Sequence, residues 1–113
     1  MPELPEVETI RRGVQPHAEG RMITEVLVRD RRLRFGVPED LETRLRGQPI
    51  LALRRRAKYL IFDLPDGALL IHLGMSGRLH VLEPDQVPPP GKHAHLDVRL
   101  DDGTVLRLTD PRR

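Results

Sequence analysis

Residues 59–73, YLIFDLPDGALLIHL, decide the fold. Two apolar runs, Tyr59–Leu64 and Ala68–Leu73, flank Pro65-Asp66-Gly67, and turn residues between such runs signal a β-hairpin. The pattern returns further on. Leu96–Leu100 and Val105–Leu108 flank Asp101-Asp102-Gly103-Thr104, a second hairpin signal. Leu79–Leu82 is another strand candidate, and from Ile50 onward the chain reads as strands. Upstream, Met22 to Asp30 reads as a strand, with Ile23, Val26 and Val28 suited to a packed sheet. Glu83–Gly91 carries Pro84, Pro88, Pro89 and Pro90, which excludes a central strand and predicts a loop. Several strands are apolar on both faces, which favours two packed sheets over one open sheet.

Two helices complete the pattern. Pro5 fits a first helical position, and Glu6 and Glu8 suit the positive end of a helix dipole. Val7, Ile10 and Val14 then form one apolar stripe, while Pro16 predicts a kink or an end nearby and Gly20 a firm stop. A short helix follows Pro38, with Leu41 and Leu45 on one face and Gly47 as its stop. The expected fold is α+β, mainly β: an antiparallel two-sheet β-sandwich flanked by two α-helices. Residues 1–113 make a single domain on this reading.

Composition narrows the chemistry. With 38% apolar residues and only Phe35, Tyr59 and Phe62 as aromatics, the core must rest on Leu, Val and Ile. The chain has no cysteine, so disulfides, thiolate chemistry and a zinc–thiolate site are excluded within it. No signal peptide or membrane-length apolar run is visible, and the expected location is cytoplasmic. Of 19 basic residues 17 are Arg, the cation suited to bidentate phosphate contacts, but a net charge of +2 does not by itself require a nucleic-acid partner.

The N-terminus carries the sharpest chemical signal. Met1 precedes a small residue, so its removal would leave Pro2 as a free secondary amine. An α-amino group titrates near pH ~8, far below a lysine, so part of it is nucleophilic at neutral pH. Glu3 stands beside it as a general acid or base. If Met1 stays, the Pro2 nitrogen is an amide and cannot react. On the dipeptide alone, an ordinary start with a capping glutamate is the simpler reading.

Longer strings change that balance. Pro2-Glu3-Leu4-Pro5-Glu6-Val7-Glu8-Thr9 with Arg11-Arg12-Gly13 resembles the opening of the bacterial formamidopyrimidine-DNA glycosylases. Arg55-Arg56-Ala57-Lys58-Tyr59-Leu60, His72-Leu73-Gly74-Met75-Ser76-Gly77, Lys92-His93-Ala94-His95 and Thr109-Asp110-Pro111-Arg112-Arg113 resemble four further segments of that family, in its order and at its approximate spacing. The sister family, endonuclease VIII, usually has Gly where this chain has Leu4.

The resemblance implies a base-excision-repair glycosylase and apurinic/apyrimidinic lyase acting on 8-oxoguanine and formamidopyrimidines in damaged double-stranded DNA. It implies catalytic roles for Pro2, Glu3 and Lys58, and DNA contacts by Met75 as an apolar wedge, by His93 to a phosphate, and by Arg112 toward the orphaned base. It implies no cofactor in this chain, no metal site and no protein partner. The family's helix–two-turn–helix and its zinc finger with four cysteine ligands are expected to be missing here, leaving this stretch with weak activity or none. A non-catalytic DNA-binding module and a purely structural fragment are the alternatives.

Several residues also have plainer readings. Lys58 could be a sheet-edge lysine, Met75 core filler, His72 a hydrogen-bonded core histidine, Glu6 a helix cap, and Arg29–Arg34 a solvated face. His93 and His95 stand two apart, which suggests metal, but two histidines do not make a site. Ala94 replaces the Asp common in the family's segment, so the loop carrying His93 is expected to loosen.

Overall fold

The computed structural model describes residues 4–30 and 39–111. Helix α1 (Leu4–Ala18) is followed by β1 (Ile23–Val28), α2 (Leu41–Leu45), β2 (Ala52–Arg56), β3 (Tyr59–Leu64), β4 (Gly67–His72), β5 (Arg78–Leu82), β6 (Ala94–Leu100) and β7 (Val105–Thr109). The strands form two antiparallel sheets, one ordered β1-β6-β7-β5 and the other β2-β3-β4. The expected two-sheet sandwich with two helices is therefore the observed architecture.

The deciding hairpin forms as read. Leu64 pairs with Gly67, so Pro65 and Asp66 alone make the turn, and Gly67 takes φ +136°, open to it because it lacks a Cβ. Strand β4 thus begins one residue before the expected Ala68 and ends at His72 rather than Leu73. Strand β6 starts at Ala94 instead of Leu96, because β7 is long enough for Thr109 to pair with Ala94.

Helix α1 ends at Ala18, two residues after Pro16, as the nearby end read at that proline requires. Pro16 lies in the last turn, where its missing N–H removes a single hydrogen bond, and the helix closes with the Glu19 N–H donating to the Gln15 carbonyl at 3.0 Å. The chain then turns at Gly20, φ +84°.

The core lies between the sheets. Ile23, Val98 and Leu106 from one sheet face Leu53, Phe62 and Ile71 from the other, all nearly inaccessible to water. Each such side chain contributes roughly 1.5–3 kcal/mol of burial. Val7, Val14 and Ala18 bring the α1 stripe into the same cluster, with Ile10 at its margin. Helix α1 packs on β2, β3 and β5 and so spans both sheets, while α2 packs on β1 and buries Leu45. The β4–β5 connection crosses from the smaller sheet to the larger, carrying residues 73–77 over one end of the sandwich.

Candidate nucleic-acid interface

That end of the sandwich carries the described candidate residues Lys58, Met75 and His93. The register places Arg56, Tyr59 and His72 at one end of the smaller sheet, and Arg78, Thr109 and Ala94 at one end of the larger. Helix α1 begins beside them: its Glu6 carboxylate lies 3.5 Å from the Arg78 guanidinium. Further along, Glu8 in the helix and Glu19 just past its end engage β2. Glu8 accepts hydrogen bonds from Arg11 (2.7 Å), Arg12 (2.8 Å) and Arg55 (3.0 Å), and these guanidiniums hold its carboxyl well below the usual carboxylate range. Glu19 accepts the Leu53 N–H at 2.7 Å, which lowers its pKa as well. The helix is thereby clamped with its first turn at the end where the strands open onto the loops. Glu6 faces Arg78, so it is more than a helix cap.

Pro2, Glu3 and Arg112 lie outside the described residues, as do positions 31–34 of the arginine run. Lys58 is described and is not a sheet-edge lysine. It occupies the two-residue turn between β2 and β3, after Ala57 with φ +52°. That conformation is strained for a residue with a Cβ. It is held by Arg55, whose Nη1 donates to the Ala57 carbonyl at 3.1 Å.

His72 is half-buried rather than a core histidine. Its Nδ1 accepts the Gly74 N–H at 3.0 Å, and Tyr59 meets its ring edge to face at 4.7 Å. Met75 follows on the crossover and is 53% exposed, which rules out core filler. The turn beneath it is closed by the Gly77 N–H donating to the Leu73 carbonyl at 2.8 Å. The Ser76 hydroxyl donates to Asp110 Oδ1 at 2.5 Å, tying the Met75 loop to the end of β7.

His93 is half-buried just before β6, and its Nδ1 is sequestered from water without a hydrogen-bond partner among the described residues. The loop carrying it is held by backbone: the Ala94 N–H donates to Gly91 at 3.1 Å and the Asp110 N–H to His93 at 3.0 Å. Ala94 itself is buried and opens β6. His95 turns away from His93 and sends Nε2 to the Asp110 carbonyl at 2.9 Å. Among the described residues no three His, Cys, Asp or Glu side chains are grouped to hold a metal ion.

One charged group escaped the sequence reading. Asp97 and Arg107 are buried and face each other across the β6–β7 pair. Arg107 donates from Nε (2.8 Å) and Nη2 (3.0 Å), Arg29 adds a bond of 2.8 Å to Asp97, and the Pro88 carbonyl accepts from Arg107 at 2.9 Å. Arg29 is itself exposed, in keeping with a solvated face, while its guanidinium reaches the buried Asp97–Arg107 pair. Burial pushes the Asp97 carboxyl up, but the Arg107 and Arg29 guanidiniums outweigh it and hold it low. The signal was present: Asp97 and Arg107 interrupt the two apolar strands that flank the Asp101–Thr104 turn, and the register pairs them.

A small β-sandwich with a helix laid across both sheets, that helix anchored by arginines and its start at the end that carries Lys58, Met75 and His93, defines the class of the domain. The chain matches the family model described as "Formamidopyrimidine-DNA glycosylase N-terminal domain" over residues 1–113, and it belongs to that family. It is 57% identical over its whole length to a formamidopyrimidine-DNA glycosylase of Stutzerimonas stutzeri and 56% identical to one of Pseudomonas putida, covering 41% of each. The chain thus spans about two fifths of the length of these curated relatives. The formamidopyrimidine-DNA glycosylase of Lactococcus lactis, solved non-covalently bound to DNA containing an AP site, superposes with a TM-score of 0.86 at 36% identity, over 97% of this chain and 42% of that one. The same enzyme solved with DNA containing a formamidopyrimidine lesion also gives 0.86 at 36% identity, over 97% of this chain and 41% of that one.

Proposed function

We propose that this chain is the catalytic half of a bifunctional DNA glycosylase and AP lyase that removes oxidised purines, 8-oxoguanine and formamidopyrimidines, from damaged double-stranded DNA in the bacterial cytoplasm. The observation that carries the reading is a convergence: the helix that follows Pro2 and Glu3 starts at the same end of the sandwich as Lys58, Met75 and His93. A reaction centre at a chain terminus needs a clamped first helix, and α1 has one in Glu8 and Glu19.

With Met1 removed, the Pro2 amine attacks C1′ of an extruded nucleotide, the glycosidic bond breaks, and the base leaves with a proton supplied by Glu3 or Lys58. Ring opening gives an iminium to the sugar. This electron sink acidifies the adjacent carbon, so that successive β- and δ-eliminations cut the strand. Lys58, in its strained turn, assists by donating a proton or gripping the phosphate near the lesion. Met75 fills the gap left by the extruded nucleotide, His93 contacts a phosphate, and Arg112 reaches the orphaned base. The four-cysteine zinc finger that the resemblance implies finds no cysteine ligand in this chain.

Borohydride trapping on a duplex with an abasic site tests this, with intact mass confirming loss of Met1. The expected result is a covalent adduct, weak because phosphate contacts are few, and abolished by N-acetylation or Met retention. No adduct from folded, Met-free protein at high DNA concentration overturns the assignment of catalysis to this chain and leaves a binding module.

A further inference from the structure

His95 is 1% exposed and has no part in the chemistry above, yet it lies at the junction of three segments of the proposed interface. It is the extra residue of a β-bulge: Ala94 pairs with Thr109 and Leu96 with Leu108, so His95 has no partner on β7. A bulge re-aims the side chain it carries. Here the His95 carbonyl accepts two N–H groups from the end of β1, Arg29 at 2.8 Å and Asp30 at 3.3 Å, while ring Nε2 lies 2.9 Å from the Asp110 carbonyl. A carbonyl only accepts, so Nε2 carries the proton. Asp110 in turn donates its N–H to His93 and accepts the Ser76 hydroxyl, one residue from Met75. Met75 and His93 are each joined to this hub within two residues of chain.

We propose that His95 is a positioning residue: its ring N–H fixes the Asp110 backbone, and through it the relative placement of the wedge and phosphate contacts, Met75 and His93. The inference rests on the proposed function for what those contacts do. Asp30 Oδ2 lies 3.4 Å from His95 Nδ1, on the far side of the ring from the bond that matters.

The test compares the parent chain with His95→Leu and His95→Gln. Leu removes the donor and fills the space, whereas the Gln amide keeps a donor at the Nε2 position. Three readouts apply: hydrogen exchange at the Asp110 amide, imidazole nitrogen NMR, and borohydride trapping against DNA concentration. The parent should show a protonated Nε2. Leu should speed Asp110 exchange and raise the half-saturating DNA concentration about tenfold, the equivalent of one lost hydrogen bond, with the limiting trapping rate within about twofold. Gln should restore both. A protonated Nδ1 with bare Nε2, unchanged exchange in the Leu variant, or equal losses in Leu and Gln would each overturn the proposal, the last reducing His95 to packing. If the parent itself does not trap, the proposed activity fails, and Asp110 exchange alone decides whether the staple exists.

Discussion

Gly77 is the residue on which the Met75 crossover depends, and Gly77→Ala tests that dependence. A Cβ on Gly77 would collide with the backbone carbonyl of Leu73, the acceptor of the Gly77 N–H that closes the turn. Leu73 is 1% exposed and packed in the core, so its backbone cannot retreat without disturbing neighbours. Forcing a methyl into such a site costs about 1–3 kcal/mol, and losing the hydrogen bond adds about 1 kcal/mol. The expected destabilisation is therefore roughly 2–4 kcal/mol, or about 8–16 °C in Tm at this chain length. Gly13→Ala supplies the opposite sign. Gly13 is exposed in the interior of α1 with nothing within 4 Å of an added Cβ, so the change should stabilise by about 0.5–1 kcal/mol. Thermal denaturation followed by circular dichroism measures both. A Gly77→Ala protein melting within about 2 °C of the parent would refute the collision argument.

Asp97→Asn leaves the buried Arg107 without its counter-ion, and breaking such a pair costs about 3–5 kcal/mol, to be read by urea denaturation; a change under about 1 kcal/mol would mean the network is solvated. Glu8, Asp63, Glu19, Asp102 and Asp97 all have folded pKa values below their unfolded ones, so their stabilisation is full above the ordinary carboxylate range and is lost as pH falls through the depressed values. Acid unfolding should accordingly begin only below pH ~4, and a titration showing loss of structure between pH ~6 and ~5 would contradict the assignment. Met75→Ala should move stability by no more than about 0.5 kcal/mol, because the side chain is exposed, while weakening binding to an abasic duplex; a large fall in Tm would return Met75 to the core.

Much of the frame was legible because it depends on local rules. Turn residues between apolar runs located both hairpins, the Val7–Val14 stripe located the buried face of α1, and the proline run located a loop. Readings failed where tertiary context decides. Lys58 read as a strand residue because its neighbours alternate in polarity, but the turn beside it uses a non-glycine residue, Ala57, at positive φ, which no turn signature announces. The contact of exposed Arg29 with Asp97 went unread because the two lie 68 residues apart in the chain.

The site itself was legible only as short strings of residues, and the fold supplies the reason those strings go together. Lys58 lies on a turn of the smaller sheet, His93 at the start of a strand in the larger sheet, and Met75 on the segment that crosses between them. No periodicity links positions so far apart, because neither sheet contains all three. What holds them in one place is the pair of anchors at that end: Glu6 and Glu8 of α1 on Arg78 and Arg55, and Asp110 on Ser76, His93 and His95. The proposed chemistry would join a terminal amine, a loop lysine and an apolar wedge from separate elements. Its geometry is therefore set by these charged and polar ties at the rim, whereas the aliphatic core sets only the distance between the sheets.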